Sequence, residues 1–140
     1  MRDRTAQTLS TIHTLTYRLT GGRVGRRLVD NDMLLLTTRG RRSGRPHTVP
    51  LLYLRDGEDL VVIASWGGRP QHPHWYTNLE ANPRASVQVL NKRWEVKAEP
   101  MAAAERTEWW SRIVDTHHGY SAYQSRTDRQ IPVVRLRPVG

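Results

Sequence analysis

The chain has 140 residues and a mass of 16.2 kDa, which fits one domain that is large enough to bury a hydrophobic core but too small for two domains. It contains no cysteine, which excludes disulfide frameworks, thiolate nucleophiles and cysteine-ligated metal clusters. Its formal net charge of +9 predicts an anionic partner, but charge alone does not distinguish nucleic acid, lipid headgroups and phosphorylated small molecules.

The first predicted element is an amphipathic helix over residues 5–19, because apolar residues recur there at helical spacing. Such a helix usually packs on the core as a lid, and its basic side can instead rest on an anionic membrane surface. No stretch reaches the roughly 20 apolar residues of a membrane span, and the N-terminus lacks the apolar core of a secretory signal. We therefore expect a cytoplasmic protein, with peripheral membrane contact through this helix as the alternative.

Three strands are predicted next. Residues 33–38 form a short apolar run, and residues 48–54 resume a strand-like composition after Pro46. A turn at residues 56–57 then precedes the apolar run 60–64, because Asp and Gly both tolerate a positive φ. We expect these strands to pair in antiparallel order.

A short helix and a second hairpin follow. Pro73 suits the first turn of a helix that residues 82–83 end after about two turns. Residues 85–90 and 93–98 alternate apolar and polar side chains around a turn at residues 91–92, which predicts a hairpin with one buried face.

The C-terminal part contains a second long helix, predicted over residues 101–117, and a last strand at residues 132–134. The chain thus has six predicted antiparallel strands with flanking helices and lacks the strand–helix alternation of a parallel sheet. This order predicts an α+β, mainly β, single domain over residues 1–140, built as a small closed or partly open barrel.

The densest functional motif is the arginine loop, residues 39–45, which follows the first predicted strand. Gly40 and Gly44 let the backbone turn tightly, so guanidinium and N–H groups can face outward as an anion cradle. A solvated hairpin loop whose arginines keep a sheet edge soluble is the alternative.

Aromatic and amide side chains are expected near this loop, at residues 65–68 and 73–79, where a flat conjugated ring could stack. Trp75 also suits core packing, so His74 and Asn78 are the better candidates there. Tyr120 and Tyr123 lie three residues apart, so a helix at this position would point both side chains to the same side. Their hydroxyls could then donate hydrogen bonds into a pocket. Core tyrosines with satisfied hydroxyls are the alternative.

Other chemistries lack their motifs. The histidines have no carboxylate at metal-ligand spacing, so we expect no metal site. Neither a GxSxG elbow nor a GxGxxG fingerprint occurs. A nucleic-acid-binding module would spread its arginines along a surface, whereas many here cluster at one loop, so no nucleic-acid partner is expected.

Several motifs in chain order resemble the deazaflavin-dependent nitroreductase family, over roughly residues 20–134. Ordered motifs at family-like spacing are far more specific than any single one. They are LLLTTRGRRSG at 34–44, TVPL at 48–51, SWGG at 65–68, PHWYTNL at 73–79, ANP at 81–83, Tyr120, YQ at 123–124 and TDRQIP at 127–132.

The resemblance implies an actinobacterial-type oxidoreductase with a split β-barrel similar to FMN-binding barrels. Its implied cofactor is coenzyme F-420, an 8-hydroxy-5-deazaflavin, and its implied reaction is hydride transfer to a quinone-like or nitroaromatic acceptor. A non-catalytic barrel that carries an apolar ligand and an FMN-dependent reductase are the alternatives. Split barrels of this kind often pair, so a homodimer is considered beside the monomer.

The resemblance also implies roles for individual residues. Tyr123, Tyr120 and Ser65 would be catalytic, as donors toward charge that develops on the acceptor. His47, Trp66 and His117 depart from the best-known family pattern, which predicts a changed tail contact and a changed acceptor pocket. The implied cofactor-binding residues are Arg41, Arg42, Ser43, Gly44, His47, Pro50, Leu51, Ser65, Trp66, His74, Trp75 and Asn78.

Overall fold

The computed structural model describes residues 33–139, so the helix predicted over residues 5–19 lies outside the described part. One seven-stranded antiparallel sheet is flanked by three α-helices in this part of the chain. The strands are β1 (Met33–Arg39), β2 (Pro46–Leu52), β3 (Leu54–Asp56), β4 (Asp59–Ile63), β5 (Arg84–Val89), β6 (Lys92–Pro100) and β7 (Val133–Pro138). The helices are α1 (His74–Ala81), α2 (Ala103–Thr116) and α3 (Gly119–Ser125), and a short turn covers Trp66–Gly68.

The strand order makes the sheet curl into a split barrel. The order is β2-β1-β5-β6-β7-β4-β3, and every neighbouring pair is antiparallel. β2 and β3 occupy opposite edges of the sheet, yet only Tyr53 separates them along the chain. Because one residue spans a few ångströms at most, the two edges must come together. The predicted mainly β split barrel is confirmed.

The predicted strand at residues 48–54 is divided at Tyr53, so the count is seven rather than six. Leu52 pairs with Met33 of β1, whereas Leu54 pairs with Val61 of β4. Tyr53 itself is buried at the corner. Its apolar character continues the strand pattern, and the sequence therefore does not reveal that the chain changes partner strand there.

Both predicted two-residue turns lie one residue from their expected positions. The first turn is at residues 57–58, with Gly57 at φ +61°, and the second is at residues 90–91, with Leu90 at φ +54°. A leucine in this region costs about 1–2 kcal/mol. Leu90 packs against the main core, and this burial offsets the strain.

Strand alternation supplies two hydrophobic cores. Val62 of β4 belongs to the main core inside the barrel, whereas its neighbours Val61 and Ile63 belong to a second core under α2 and α3. Trp75 and Leu79 of α1 pack in the main core, which confirms the core packing considered for Trp75 from the sequence. The two cores hold α1 and α3 at fixed positions on the barrel, and these helices contribute to the cleft described below.

A substitution at Gly68 tests how closely α3 approaches the barrel. A Cβ at Gly68 would overlap the carbonyl oxygen of Tyr123, and the residue has φ +79°. We expect Gly68→Ala to lower the free energy of unfolding by about 2–3 kcal/mol, from backbone strain plus steric overlap. Gly57→Ala is the control, since Gly57 has φ +61° with open space around it, and should cost about 1 kcal/mol. Urea unfolding measures both variants. If Gly68→Ala and Gly57→Ala lose the same free energy of unfolding, the close approach of α3 to Gly68 adds nothing to the cost of the substitution.

Candidate functional site

A cleft of about 1220 Å³ opens where the β1–β2 hairpin, the turn after β4, α1 and α3 meet. Strand β2 forms much of its wall, while the arginine loop and the two helices supply the polar groups. The lining comprises residues 40–43, 46–52, 65–67 and 73–75, with Met33, Ile63, Asn78, His117, Gly119, Tyr120 and Tyr123.

Two glycines close the arginine loop at its base. The N–H of Gly40 donates to the carbonyl of Arg45 (2.8 Å), and the N–H of Gly44 donates to the carbonyl of Gly40 (2.9 Å). A Cβ at Gly40 would lie 2.6 Å from Ser43 Oγ and 2.7 Å from His47 Nε2, so no larger residue fits without displacing them. Ser43 Oγ also accepts the N–H of Arg45 (3.2 Å). The loop is therefore a preformed structure.

Asn78 attaches the arginine loop to α1. Its Oδ1 accepts hydrogen bonds from the N–H (3.2 Å) and Nη1 (3.0 Å) of Arg41. Its Nδ2 donates to Thr38 Oγ1 (3.1 Å) at the end of β1. The side chain is buried, and it lines the cleft while its carboxamide orients Arg41.

No carboxylate within residues 33–139 compensates the positive charge of the arginine loop. Arg39 donates from Nη1 to the carbonyl of Gly44 (3.2 Å), and Arg41 to Asn78, so both bind neutral acceptors. The guanidinium groups of Arg42 and Arg45 form no hydrogen bond or ion pair with the described residues, and both side chains are exposed. Guanidinium groups without carboxylate partners attract an anion such as phosphate or carboxylate.

The rest of the cleft contains hydroxyl groups without protein partners. Ser65 and Tyr120 are 9% and 7% exposed, and Tyr123 is half-buried. Within residues 33–139 none of these three hydroxyls forms a hydrogen bond, although buried hydroxyls nearly always do. A polar ligand in the cleft would supply the missing partner.

Three rings stand edge to face beside these hydroxyls. The ring of Tyr120 lies 5.9 Å from that of His117 and 5.6 Å from that of Tyr123, at interplanar angles of 84° and 83°. Burial, with a smaller contribution from Tyr123, raises the pKa of Tyr120 to about 12. The Tyr120 hydroxyl therefore keeps its proton at neutral pH and can act as a hydrogen-bond donor.

Trp66 lies on a strained turn at the cleft. Trp66, Gly67 and Gly68 have consecutive positive φ values of 43°, 63° and 79°. This region is unfavourable for tryptophan, and such strain is concentrated at functional sites. The indole is flanked by the guanidinium of Arg69 (4.6 Å from the ring centroid) and the ring of His74 (5.4 Å).

The cleft brings together the predicted site residues from four separate segments of the chain. All of the predicted cofactor-binding residues line it except Gly44, and so do the three predicted catalytic residues. Gly44 is outside the lining and has φ +71°, so it contributes to the shape of the arginine loop. The individual roles of these residues stay predictions.

Two supporting residues were not singled out from the sequence. Arg129 donates to backbone carbonyls next to the cleft, including that of Ser65. Gln124 donates from Nε2 to the carbonyl of Arg129 (2.8 Å) and accepts at Oε1 from the N–H of Ile131 (3.0 Å). Both belong to the C-terminal motifs of the resemblance, but the sequence contains no signal for what they contact.

The described residues contain neither a cluster of metal ligands nor a membrane-spanning helix. Between residues 33 and 139, no three histidine, aspartate or glutamate side chains are grouped so that they could hold a metal ion. No helix in that range is long and apolar enough to cross a bilayer. The predicted membrane contact through residues 5–19 lies outside this range and stays a prediction.

Comparison with known proteins identifies the family of the chain. The family model described as F420H(2)-dependent quinone reductase matches residues 9–138. An F420H(2)-dependent quinone reductase of Mycobacterium tuberculosis (strain ATCC 25618 / H37Rv) is 40% identical over 129 residues, 89% of this chain and 87% of that protein.

Two solved structures also match. One is described as an F420-H2 dependent reductase, with 38% identity and a TM-score of 0.69, covering 76% of this chain and 94% of that chain. The other is described as a domain-swapped dimer, with 34% identity and a TM-score of 0.71, covering 97% and 96%.

These matches confirm the cofactor and the reaction class that the sequence resemblance implied, whereas reduction of nitro compounds stays a prediction. The cleft fits that cofactor, because it joins uncompensated arginines to a wall of apolar and aromatic side chains. The chain belongs to the F420H(2)-dependent quinone reductase family and is therefore an oxidoreductase that uses coenzyme F-420.

Proposed function

We propose that the arginine loop binds the anionic tail of coenzyme F-420, while Pro50, Leu51 and Trp75 hold its deazaflavin ring. The observation that carries this proposal concerns one continuous cleft. Arg41 and Arg42, which have no carboxylate partner among the described residues, line it together with hydroxyls that form no hydrogen bond within residues 33–139. The coenzyme has an anionic tail and a polar ring, so it can satisfy both groups at once.

A quinone-like acceptor is held beside Tyr120 and Tyr123 in this proposal. Reduced coenzyme F-420, when bound, supplies the hydride. The chain orients the reactants and stabilises charge on the acceptor oxygen. Tyr120 donates the main hydrogen bond to that oxygen, since its hydroxyl is buried in the cleft and forms no hydrogen bond within residues 33–139. Tyr123 and Ser65 supply further donors from the same part of the cleft.

Nitroaromatic compounds are the second acceptor class. A nitro group also presents oxygen atoms that accept hydrogen bonds, so the same three hydroxyls suit it. His117 lies against Tyr120 in the acceptor part of the cleft, at a ring distance of 5.9 Å. Its imidazole makes the pocket of this chain different from one that has a tyrosine there, so the two acceptor classes should be compared directly.

A homodimer is the proposed assembly. Its support is the 34% identity over nearly the whole chain with a solved structure described as a domain-swapped dimer. A molar mass near twice 16.2 kDa in sedimentation would establish it, and a mass of one chain would refute it.

Titration with coenzyme F-420 tests the cofactor site. We expect Arg41→Ala/Arg42→Ala to weaken binding by at least about 150-fold, because each of the two charge-assisted contacts contributes about 1.5–3 kcal/mol. Quenching of tryptophan fluorescence measures the dissociation constant, since Trp66 and Trp75 line the cleft. The control Arg84→Ala/Lys97→Ala removes the same charge from exposed positions of β5 and β6, away from the cleft.

Two outcomes would refute the assignment of the site. Equal losses in the two double variants would mean that net charge, and not the arginine loop, attracts the coenzyme. Tighter binding of FMN than of F-420, or binding of an apolar ligand without F-420, would favour the FMN-dependent reductase or the carrier instead.

A further inference from the structure

The guanidinium group of Arg129 connects four points of the segment between β4 and α1. These points lie 57–65 positions before Arg129 in the chain, and none of them is a carboxylate. The acceptors are the carbonyls of Arg69 (2.8 Å from Nε), Ala64 (3.1 Å from Nη1) and Ser65 (2.7 Å from Nη2), and Nδ1 of His72 (3.0 Å from Nη1).

This segment contains two cleft residues, Ser65 and Trp66, next to or within a turn whose backbone conformation is unfavourable by itself. The three consecutive positive φ values at residues 66–68 need surrounding contacts to persist. Arg129 holds the carbonyls immediately before and after this turn, and Gln124 anchors the backbone of Arg129 through its carbonyl (2.8 Å). No other described side chain hydrogen-bonds both sides of the turn.

The fourth contact requires an unprotonated imidazole nitrogen. Arginine can only donate, so Nδ1 of His72 must accept. Burial, and then the charge of Arg129, lower the pKa of His72, while Glu80 on α1 acts more weakly in the opposite direction. Among the described residues, the ring of Tyr76 also packs on this imidazole, 4.8 Å away. Protonation would place two cations about 3 Å apart and remove the hydrogen bond.

We propose that Arg129 and His72 are positioning residues of the cleft: together they hold Ser65 and Trp66 in place, and protonation of His72 loosens that hold. The expected loss of ligand affinity rests on the proposed function, whereas the expected change in the position of Trp66 does not. Because the folded protein binds this proton less readily than the unfolded chain, the stabilisation is present at neutral pH. It is lost as pH falls below the ordinary histidine value of about 6.5.

The experiment compares the wild-type protein with His72→Asn from about pH 5 to about pH 8. The Oδ1 atom of asparagine can accept from Arg129 much as Nδ1 does, but it does not titrate. We expect the dissociation constant for F-420 to rise about tenfold in the wild-type protein over the acid part of this range. In His72→Asn the dissociation constant at acid pH should stay close to the dissociation constant at neutral pH.

A second readout uses the protein without ligand. Tryptophan emission is followed over the same pH range in both proteins, each with and without Trp66→Phe, so that the difference isolates the signal of Trp66. We expect that signal to change with acidification in the wild-type background and to stay constant in the His72→Asn background. Failure of F-420 to bind at any pH would refute the proposed function and leave this test intact.

Arg129→Lys tests the other half of the pair. Lysine retains the charge, but its single ammonium group cannot reach four acceptors in a planar arrangement. We expect weaker F-420 binding at every pH, by about tenfold. An identical pH dependence of the Trp66 signal in wild-type and His72→Asn proteins would overturn the proposal, since another group, such as His74 or His117, would then be responsible.

Discussion

Replacement of Arg135 by leucine is expected to lower the free energy of unfolding by about 3 kcal/mol, at the lower end of the cost of breaking a buried ion pair. The Arg135 side chain is only 8% exposed, and its Nη1 lies 2.7 Å from Asp56 and 2.9 Å from Asp59. Its Nη2 lies 3.2 Å from Glu105 of α2. Without the arginine, three carboxylates would face one another around an apolar side chain.

The position of Arg135 explains why the effect should be large. Asp56 and Asp59 flank the turn of the β3–β4 hairpin, so this cluster joins that edge of the sheet to β7 and to α2. The guanidinium also lies 5.9 Å from the ring of Trp109, which covers it from α2. The sheet edge and the helix therefore depend on the same side chain.

Arg137→Leu is the matched control, since it removes an arginine two residues away on the same strand. Arg137 pairs with Glu99 at 3.1 Å, but the two side chains are 55% and 44% exposed. Such a pair contributes less than about 1 kcal/mol. Urea unfolding of the two variants measures the difference, and similar losses would contradict the assignment of a structural role to Arg135.

Tyr120→Phe is expected to lower kcat with F-420H2 and a quinone such as menadione by about 100-fold, the usual effect of removing one donor to a developing oxyanion. The Tyr120 hydroxyl is buried and has no partner among the described residues, and its pKa of about 12 keeps the proton in place. The substitution removes the proposed hydrogen bond to the acceptor and leaves the ring contacts with His117 and Tyr123. Steady-state kinetics measure the change.

Two further measurements separate this role from a structural one. The hydroxyl has no partner to lose within residues 33–139, so the stability of Tyr120→Phe should equal or exceed that of the wild-type protein. Tyr53→Phe removes a hydroxyl from another buried tyrosine, which lies outside the cleft lining, and should leave kcat within about twofold. A loss of stability without a loss of kcat in Tyr120→Phe would instead support the core-tyrosine alternative.

The sequence alone indicated the class of the protein, the type of most elements and the position of the arginine loop. Local patterns were sufficient there, since apolar alternation and helical spacing are short-range properties. The glycines of the arginine loop also act locally, as the close approach of Ser43 and His47 to Gly40 demonstrates. The ordered motifs were sufficient for the cofactor, because many residues at defined spacing identify a family.

How those parts are joined depends on contacts between residues that are distant in the chain. The sequence does not reveal that Tyr53 ends one pairing and begins another, because both sides of that residue have the same apolar pattern. Nor does it reveal that Asn78 orients Arg41, 37 positions away, or that Arg129 holds the carbonyl of Ser65, 64 positions away. These contacts arise from the curl of the sheet, and no local preference of the chain encodes which distant groups that curl brings within hydrogen-bonding distance.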